Sequence, residues 1–257
     1  MYKYLKENNK LKKLVALFVI LAAFLSLNNS TTFSQPQLKV HVTGGYNLPL
    51  PDLKGDLNTA ADSNTYMMKQ GFGFGADAKY YLGKKRNVGI TLGLGYQMFS
   101  NSADSSTALG VTNVKGKLNA FNFGLGVEYN FMPKGKTQPF LGAEFTGHFF
   151  SGDAEATSFG TTTKRTLKSA SRFGVAVGGG LDFKLGKSVG AIVGVKYHLA
   201  NLLGKAYDST GLGSTEFALD DKEHTMNGAT VSAKNISYIQ MYAGVSFFFN
   251  EPKKMKK

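Results

Sequence analysis

Across 257 residues there is no cysteine. A lipid-modified N-terminal cysteine and a disulfide-stapled secreted scaffold are both excluded, so something else must stabilise the chain outside the cell. The longest apolar run, Leu14 to Leu27, falls short of the ~20 residues that a helix needs to cross a hydrocarbon core. Helical periodicity is also missing, since from Leu38 onwards apolar residues recur at every second position rather than every third or fourth. Acidic residues are few, which leaves a formal charge of +13. Much of that excess sits at the two ends of the chain, and no interleaving of aromatic and basic residues accompanies it. A nucleic-acid-binding face is therefore not indicated.

What is present begins with a targeting segment. Met1 to Lys13 is basic and polar, Leu14 to Leu27 (LVALFVILAAFLSL) is apolar, and Asn28 to Ser34 is polar with the small residues Thr32 and Ser34. That order is a secretory signal with cleavage expected after Ser34, the alternative being an uncleaved anchor helix. Removing the segment, with five lysines and one glutamate, lowers the formal charge by four. The expected organisation is a signal peptide over 1–34, a single domain over 35–250 and a short basic tail over 251–257.

Eight alternating segments follow: Gln37–Leu48, Gly71–Leu82, Asn87–Phe99, Asn119–Met132, Pro139–Phe150, Arg172–Leu185, Ser188–Ala200 and Ser237–Phe249. Each suits a tilted strand of ~9–11 residues across a bilayer with a short extension. The connections alternate too. Gly83–Arg86, Pro133–Gln138 and Gly186–Lys187 are short, whereas Pro49–Gln70, Ser100–Leu118, Ser151–Ser171 and Asn201–Ile236 are long and rich in Ser, Thr, Asn, Asp and Gly. Short turns at one end and long loops at the other are the layout of a transmembrane barrel, with both mature termini at the short-turn, periplasmic end.

The apolar phase carries no charge on any of the eight segments. A lysine or arginine there would cost ~2–4 kcal/mol at mid-bilayer, so lipid contact explains the exclusion. Aromatics bound this phase as two interfacial girdles. Tyr46, Phe72, Tyr96, Phe121, Phe149, Phe173 and Tyr197 mark the loop end, and Tyr80, Tyr129, Phe131, Phe183, Phe247 and Phe249 the turn end. A soluble lipocalin-like barrel, the main structural alternative, has no reason for such bounds. The opposite phase is polar and glycine-rich. Its lysines Lys39, Lys79, Lys184 and Lys196 are matched by Asp77, Glu128, Glu144 and Asp182, which predicts a lumen charge network.

The last segment, Tyr238 to Phe249, alternates apolar residues and ends in aromatics, and it resembles the C-terminal assembly signal of outer-membrane proteins. With the eight segments and their loop asymmetry, the mature chain is similar to small eight-stranded outer-membrane β-barrels of the OmpA/OmpX-like kind. The resemblance implies an all-β, closed antiparallel up-and-down barrel in the cell envelope of a Gram-negative bacterium. It also implies recognition by the outer-membrane assembly machinery through the C-terminal strand, and contact with outer-membrane lipid and lipopolysaccharide. Two departures stand out: only Glu251 to Lys257 follow the barrel, so a cell-wall-binding domain is not included, and tryptophan is replaced by Tyr and Phe in the girdles.

Candidate chemistry is sparse. Gly71-Phe72-Gly73-Phe74-Gly75 and Gly93-Leu94-Gly95 look like nucleotide loops but open no helix, and are better read as small inward residues of a narrow barrel. His41, His148 and His198 share the inward phase but lie at different heights, which favours lumen hydrogen bonding over a metal site. His148 and Ser151 are separated by an odd number and fall on opposite faces, so a nucleophile beside a base is not formed. Asp220-Asp221-Lys222-Glu223-His224 lacks calcium-loop spacing and reads as a solvated charge run. No catalytic residue, metal or cofactor is expected. The favoured function is a non-enzymatic scaffold presenting extracellular loops for adhesion, envelope integrity or resistance. A narrow, porin-like solute channel and an envelope-lipid-modifying enzyme are the alternatives.

Overall fold

A computed structural model describes residues 37–57, 65–83, 85–107, 110–207, 211–226 and 229–249. The signal segment 1–34 and the basic tail 251–257 lie outside the described residues. Twelve strands follow in order: β1 (Leu38–Pro49), β2 (Gln70–Tyr81), β3 (Val88–Thr107), β4 (Gly110–Asn130), β5 (Thr137–Ser158), β6 (Thr161–Leu167), β7 (Ala170–Lys184), β8 (Val189–Leu203), β9 (Glu216–Phe217), β10 (His224–Met226), β11 (Ala229–Val231) and β12 (Ser237–Phe249).

Eight of these close on themselves. β1 pairs antiparallel with β2 and with β12, the sheet continues through β3 and β4 on one side and β8, β7 and β5 on the other, and β4 pairs with β5. Closure leaves the eight-stranded wall without an unpaired edge, which lipid would not tolerate. The first and last strands meet in full register, from Leu38 opposite Phe249 to Pro49 opposite Tyr238.

Alternation places the apolar phase outside. Leu92 and Leu125 are each 58% exposed while Lys39 and Asp182 are 1% exposed, the inverse of a water-soluble protein, and only an apolar surrounding makes that arrangement favourable. Aromatic contacts run between neighbouring strands around the loop end: Tyr46 meets Phe72 edge-on at 5.4 Å, Phe121 stacks on Phe149 at 6.3 Å, and Phe145 on Phe173 at 5.8 Å. At the turn end Tyr129 meets Phe131 edge-on at 5.0 Å. Glycine on the inward phase makes room for larger neighbours. A Cβ on Gly73 would collide with the Gln97 amide and one on Gly194 with the Tyr242 ring, so the narrow lumen alternates small and large residues.

Three expected loops are more regular than their composition suggested. β3, β4 and β5 have 20, 21 and 22 residues against 12 in β1, so the wall continues above the expected ends at Phe99, Asn119 and Phe150. The extension is polar and rich in serine, so its regularity comes from residue-for-residue pairing of neighbouring strands and not from an apolar phase. β5 turns at Phe159 and Gly160, both with positive φ (51° and 76°), the backbone of a two-residue hairpin turn, and returns as β6. The expected loop Asn201–Ile236 contains β9, which pairs parallel with β6, and the β10–β11 hairpin.

Candidate functional site

The lumen is filled in layers. Nearest the turn end, Lys39 Nζ lies 2.8 Å from Asp182 Oδ2 and also donates to Gln138, while Ser246 donates to Asp182 Oδ1 at 2.7 Å. His41 bridges two carboxylates. Its Nδ1 is 2.9 Å from Asp77, and its Nε2 is 3.4 Å from Asp182 without hydrogen-bond alignment. Lys79 sits 3.7 Å from Asp77 and pairs closely with Glu128, which also accepts from Tyr81. These contacts join Lys39, Asp182, His41, Asp77, Lys79 and Glu128 into one chain across the interior. Lys184 lies 5.7 Å from the centre of the Phe248 ring.

The remaining pair stands apart, Lys196 donating to both oxygens of Glu144 at 2.9 and 3.1 Å. A cavity of about 50 Å³ separates it from Lys79 and Glu128, and a second of similar size lies beside Gln97, Asn122 and His198. Seven of the eight charges therefore fall into two groups rather than the single network expected, with Lys184 beside Phe248. Sequence reasoning placed His41 in lumen hydrogen bonding but outside the charge network, and it omitted Tyr81, Gln138 and Ser246, although each occupies the same inward phase as its partners.

Above the charges, Asn47 donates to Gln97 at 2.7 Å, and His148 and His198 face each other edge-on at 6.5 Å. His148 Nε2 is 3.0 Å from Thr146 Oγ1 and His198 stacks on Tyr238 at 4.5 Å. His41 belongs to the lower layer. Among the described residues no three potential ligating side chains are placed to hold a metal. Ser151 is exposed on the outer face while His148 is buried in the lumen.

The mouth differs most from expectation. Phe99, Leu118, Ala120, Phe150, Ala200 and Tyr238 of the wall pack with Leu53, Met68, Leu167, Leu219 and Ile236 of the connections into one buried apolar cluster. The connections are thus a lid with its own core, not four independent polar loops. The stretch Asp220 to His224 is a solvated charge run only in part: Lys222 and Glu223 are exposed, whereas Asp221 has no exposed surface. Its carboxylate accepts from Arg172 Nε and from an Arg172 terminal nitrogen, both at 2.8 Å, from Asn201 at 2.9 Å and from the Ala206 amide at 2.9 Å. Four donors offset the desolvation that four residues of polar sequence context did not reveal. Asn201 also donates to the Lys234 carbonyl and accepts from the Ile236 amide. Tyr66, from the first connection, donates to the Asp220 carbonyl at 3.1 Å. Burial, followed by the Asp221 and Asp220 carboxylates, pushes its phenol far above the ordinary tyrosine range.

The family model described as an outer membrane protein beta-barrel domain matches residues 17–219, well over half of the chain. Solved structures similar to it include the Pseudomonas aeruginosa outer membrane protein OprG, at 13% identity and TM-score 0.45, covering 84% of this chain and 98% of that one. Neisserial surface protein A aligns at 15% identity and TM-score 0.42, over 83% and 97% of the two chains. The attachment invasion locus protein Ail of Yersinia pestis, in complex with the heparin analogue sucrose octasulfate, aligns at 12% identity and TM-score 0.36, over 82% and 98%. No curated protein matches the chain.

Proposed function

Because the chain belongs to the outer membrane protein β-barrel domain family, and so lies in the outer membrane, we propose that it acts there as a closed, non-enzymatic scaffold presenting a folded lid to the exterior. Closure at two levels carries this reading. The Lys39 to Glu128 chain of charges crosses the lower lumen, and the apolar cluster latched by Arg172 and Asp221 fills the mouth. Opposite charges paired across a narrow interior do not line a single-sign conduction path. The exposed apolar wall contacts outer-membrane lipid and, in the outer leaflet, lipopolysaccharide, and β12 with its terminal aromatics is the segment offered to the assembly machinery. The lid faces outward and both barrel ends of the chain face the periplasm. Thr146 Oγ1 lies 3.0 Å from His148 Nε2, but Thr146 has no exposed surface and no hydrogen-bond partner among the described residues orients His148 Nδ1, which supports the non-enzymatic reading.

Sidedness is tested by labelling intact cells. A tag inserted at Phe159–Gly160 should be accessible and one placed after Lys257 should not, and the reverse result would overturn the proposal. A second reading, a narrow solute channel, draws on the two lumen cavities beside Lys196, and conductance measurements separate the two.

A further inference from the structure

A cavity of about 280 Å³ lies in the mouth, above the apolar cluster and inside the extended wall. Leu118, Leu167, Phe217 and Leu219 line it together with Tyr66 and Met68. Leu118, Leu167, Met68 and Leu219 are themselves buried. The cavity is open on one side, so a ligand can reach it from the exterior. An apolar cavity of ~150 Å³ stays dry and takes up benzene. At roughly 30 Å³ per carbon, close to a water molecule's share of liquid volume, this one accommodates an aliphatic chain of about nine carbons.

One end of the cavity is polar. Lys234 and Asp220 border it, whereas Lys115, Lys117 and Asp153 belong to the outward phase of the wall, where Lys117 is 52% exposed and lies 4.0 Å from Asp153. Lys234 is the informative member. Its side chain is only 14% exposed, its ammonium lies 5.2 Å from the centre of the Tyr66 ring, and its carboxylate neighbour Asp220 is 3.6 Å away, beyond hydrogen-bond reach. A mostly buried ammonium has three donors to satisfy, and a ligand carboxylate entering at this end can accept from it. Asp220 opposes an anion, but it is shared with His224, whose Nδ1 lies 3.3 Å from its Oδ1, and it leaves the Lys234 donors without a hydrogen bond.

We propose that this cavity binds a medium-length aliphatic carboxylate, its chain against Leu118, Leu167, Phe217 and Leu219 and its head beside Lys234. This goes beyond a scaffold role by giving the lid a small-molecule ligand. The site tolerates a specific block. A Cβ added at Gly116 would meet only the Met68 methyl, at 3.4 Å, so a leucine there enters the cavity without striking backbone.

The test uses the full mature chain refolded into phosphatidylcholine nanodiscs, with empty nanodiscs as the control for partition into lipid. Decanoate should bind saturably at one site per barrel in excess of the empty discs. Gly116→Leu should weaken it by at least about tenfold, since the chain loses its space. Lys234→Gln should weaken decanoate by roughly two- to fivefold, the scale of a partly exposed ion pair, and leave decanol unchanged. Retention of the unheated gel mobility shows that each variant is folded, and should Gly116→Leu fail that control, the decanoate-to-decanol contrast in Lys234→Gln decides. Decanoate uptake equal to that of empty discs would overturn the site. Undiminished binding by folded Gly116→Leu would place the ligand elsewhere on the barrel. Decylamine binding as tightly as decanoate would overturn the anionic head, as would an equal loss of decanoate and decanol in Lys234→Gln.

Discussion

Replacing Asp221 by alanine should release the lid without unfolding the barrel. The carboxylate accepts two hydrogen bonds from Arg172, one from Asn201 and one from the Ala206 amide. Without it Arg172 keeps the Ser171 carbonyl at 2.8 Å and the Leu219 carbonyl at 3.4 Å, neither of which carries a compensating charge. Breaking a buried ion pair on one side costs ~3–5 kcal/mol in the state that keeps the remaining charge buried. That state is the closed lid, because an opened lid exposes Arg172 to water. The opening equilibrium should therefore rise by about two to nearly four orders of magnitude, while β1 to β5, β7, β8 and β12 remain paired. Trypsin cleavage after Lys234 reads the opening, since the Lys234 backbone is bonded to Asp221 and Asn201 on the closed lid. When reclosing is faster than cleavage, the rate follows the open population. The double variant Arg172→Met, Asp221→Leu removes both charges and should restore most of the protection. Equal cleavage rates in the wild type and Asp221→Ala, with the unheated mobility of both unchanged, would refute the latch.

In the lower lumen, Glu128→Ala leaves the Lys79 ammonium without its close carboxylate and should lower barrel stability by ~3–5 kcal/mol, read from urea unfolding in lipid vesicles. Leu125→Lys places a charge on the lipid-facing phase, where Leu125 is 58% exposed, and should cost ~2–4 kcal/mol in the same assay, whereas a minor effect would deny that this face meets lipid. The raised Tyr66 phenol gives a pH signature outside the bilayer. The folded lid holds this proton more tightly than the unfolded chain does, so its contribution is complete below the unfolded value of ~10 and is lost as pH rises beyond it. Lid protection should fall in strong alkali and fall less in Tyr66→Phe.

The wall was legible because lipid imposes one strict rule. From Val40 to Phe249 a charge on the outward phase is costly, so the alternation survives in every strand and the faces of all eight follow from it. The upper wall escaped because nothing enforces an apolar phase beyond the bilayer: Asn101 to Thr107 and Val111 to Leu118 read as loop by composition yet pair residue for residue. Asp221 escaped for a different reason. Its partners Arg172 and Asn201 are 49 and 20 residues away in the chain, and a carboxylate among Asp220, Lys222 and Glu223 carries no local mark of burial. A signal for the lid did exist in Leu53, Met68, Leu167, Leu219 and Ile236, apolar residues in segments otherwise polar, which need a core to join. His41 stood on the inward phase between Lys39 and Thr43, and only the register opposite Asp77 reveals its bridging place.

Closure of the lumen is the central claim, and single-channel recording of the refolded wild-type protein in planar bilayers tests it most directly. The paired charges and the latched mouth predict no large steady conductance, with small openings emerging when Glu128→Ala and Asp221→Ala are combined. Stable porin-like currents from the wild type, unchanged by that combination, would contradict it.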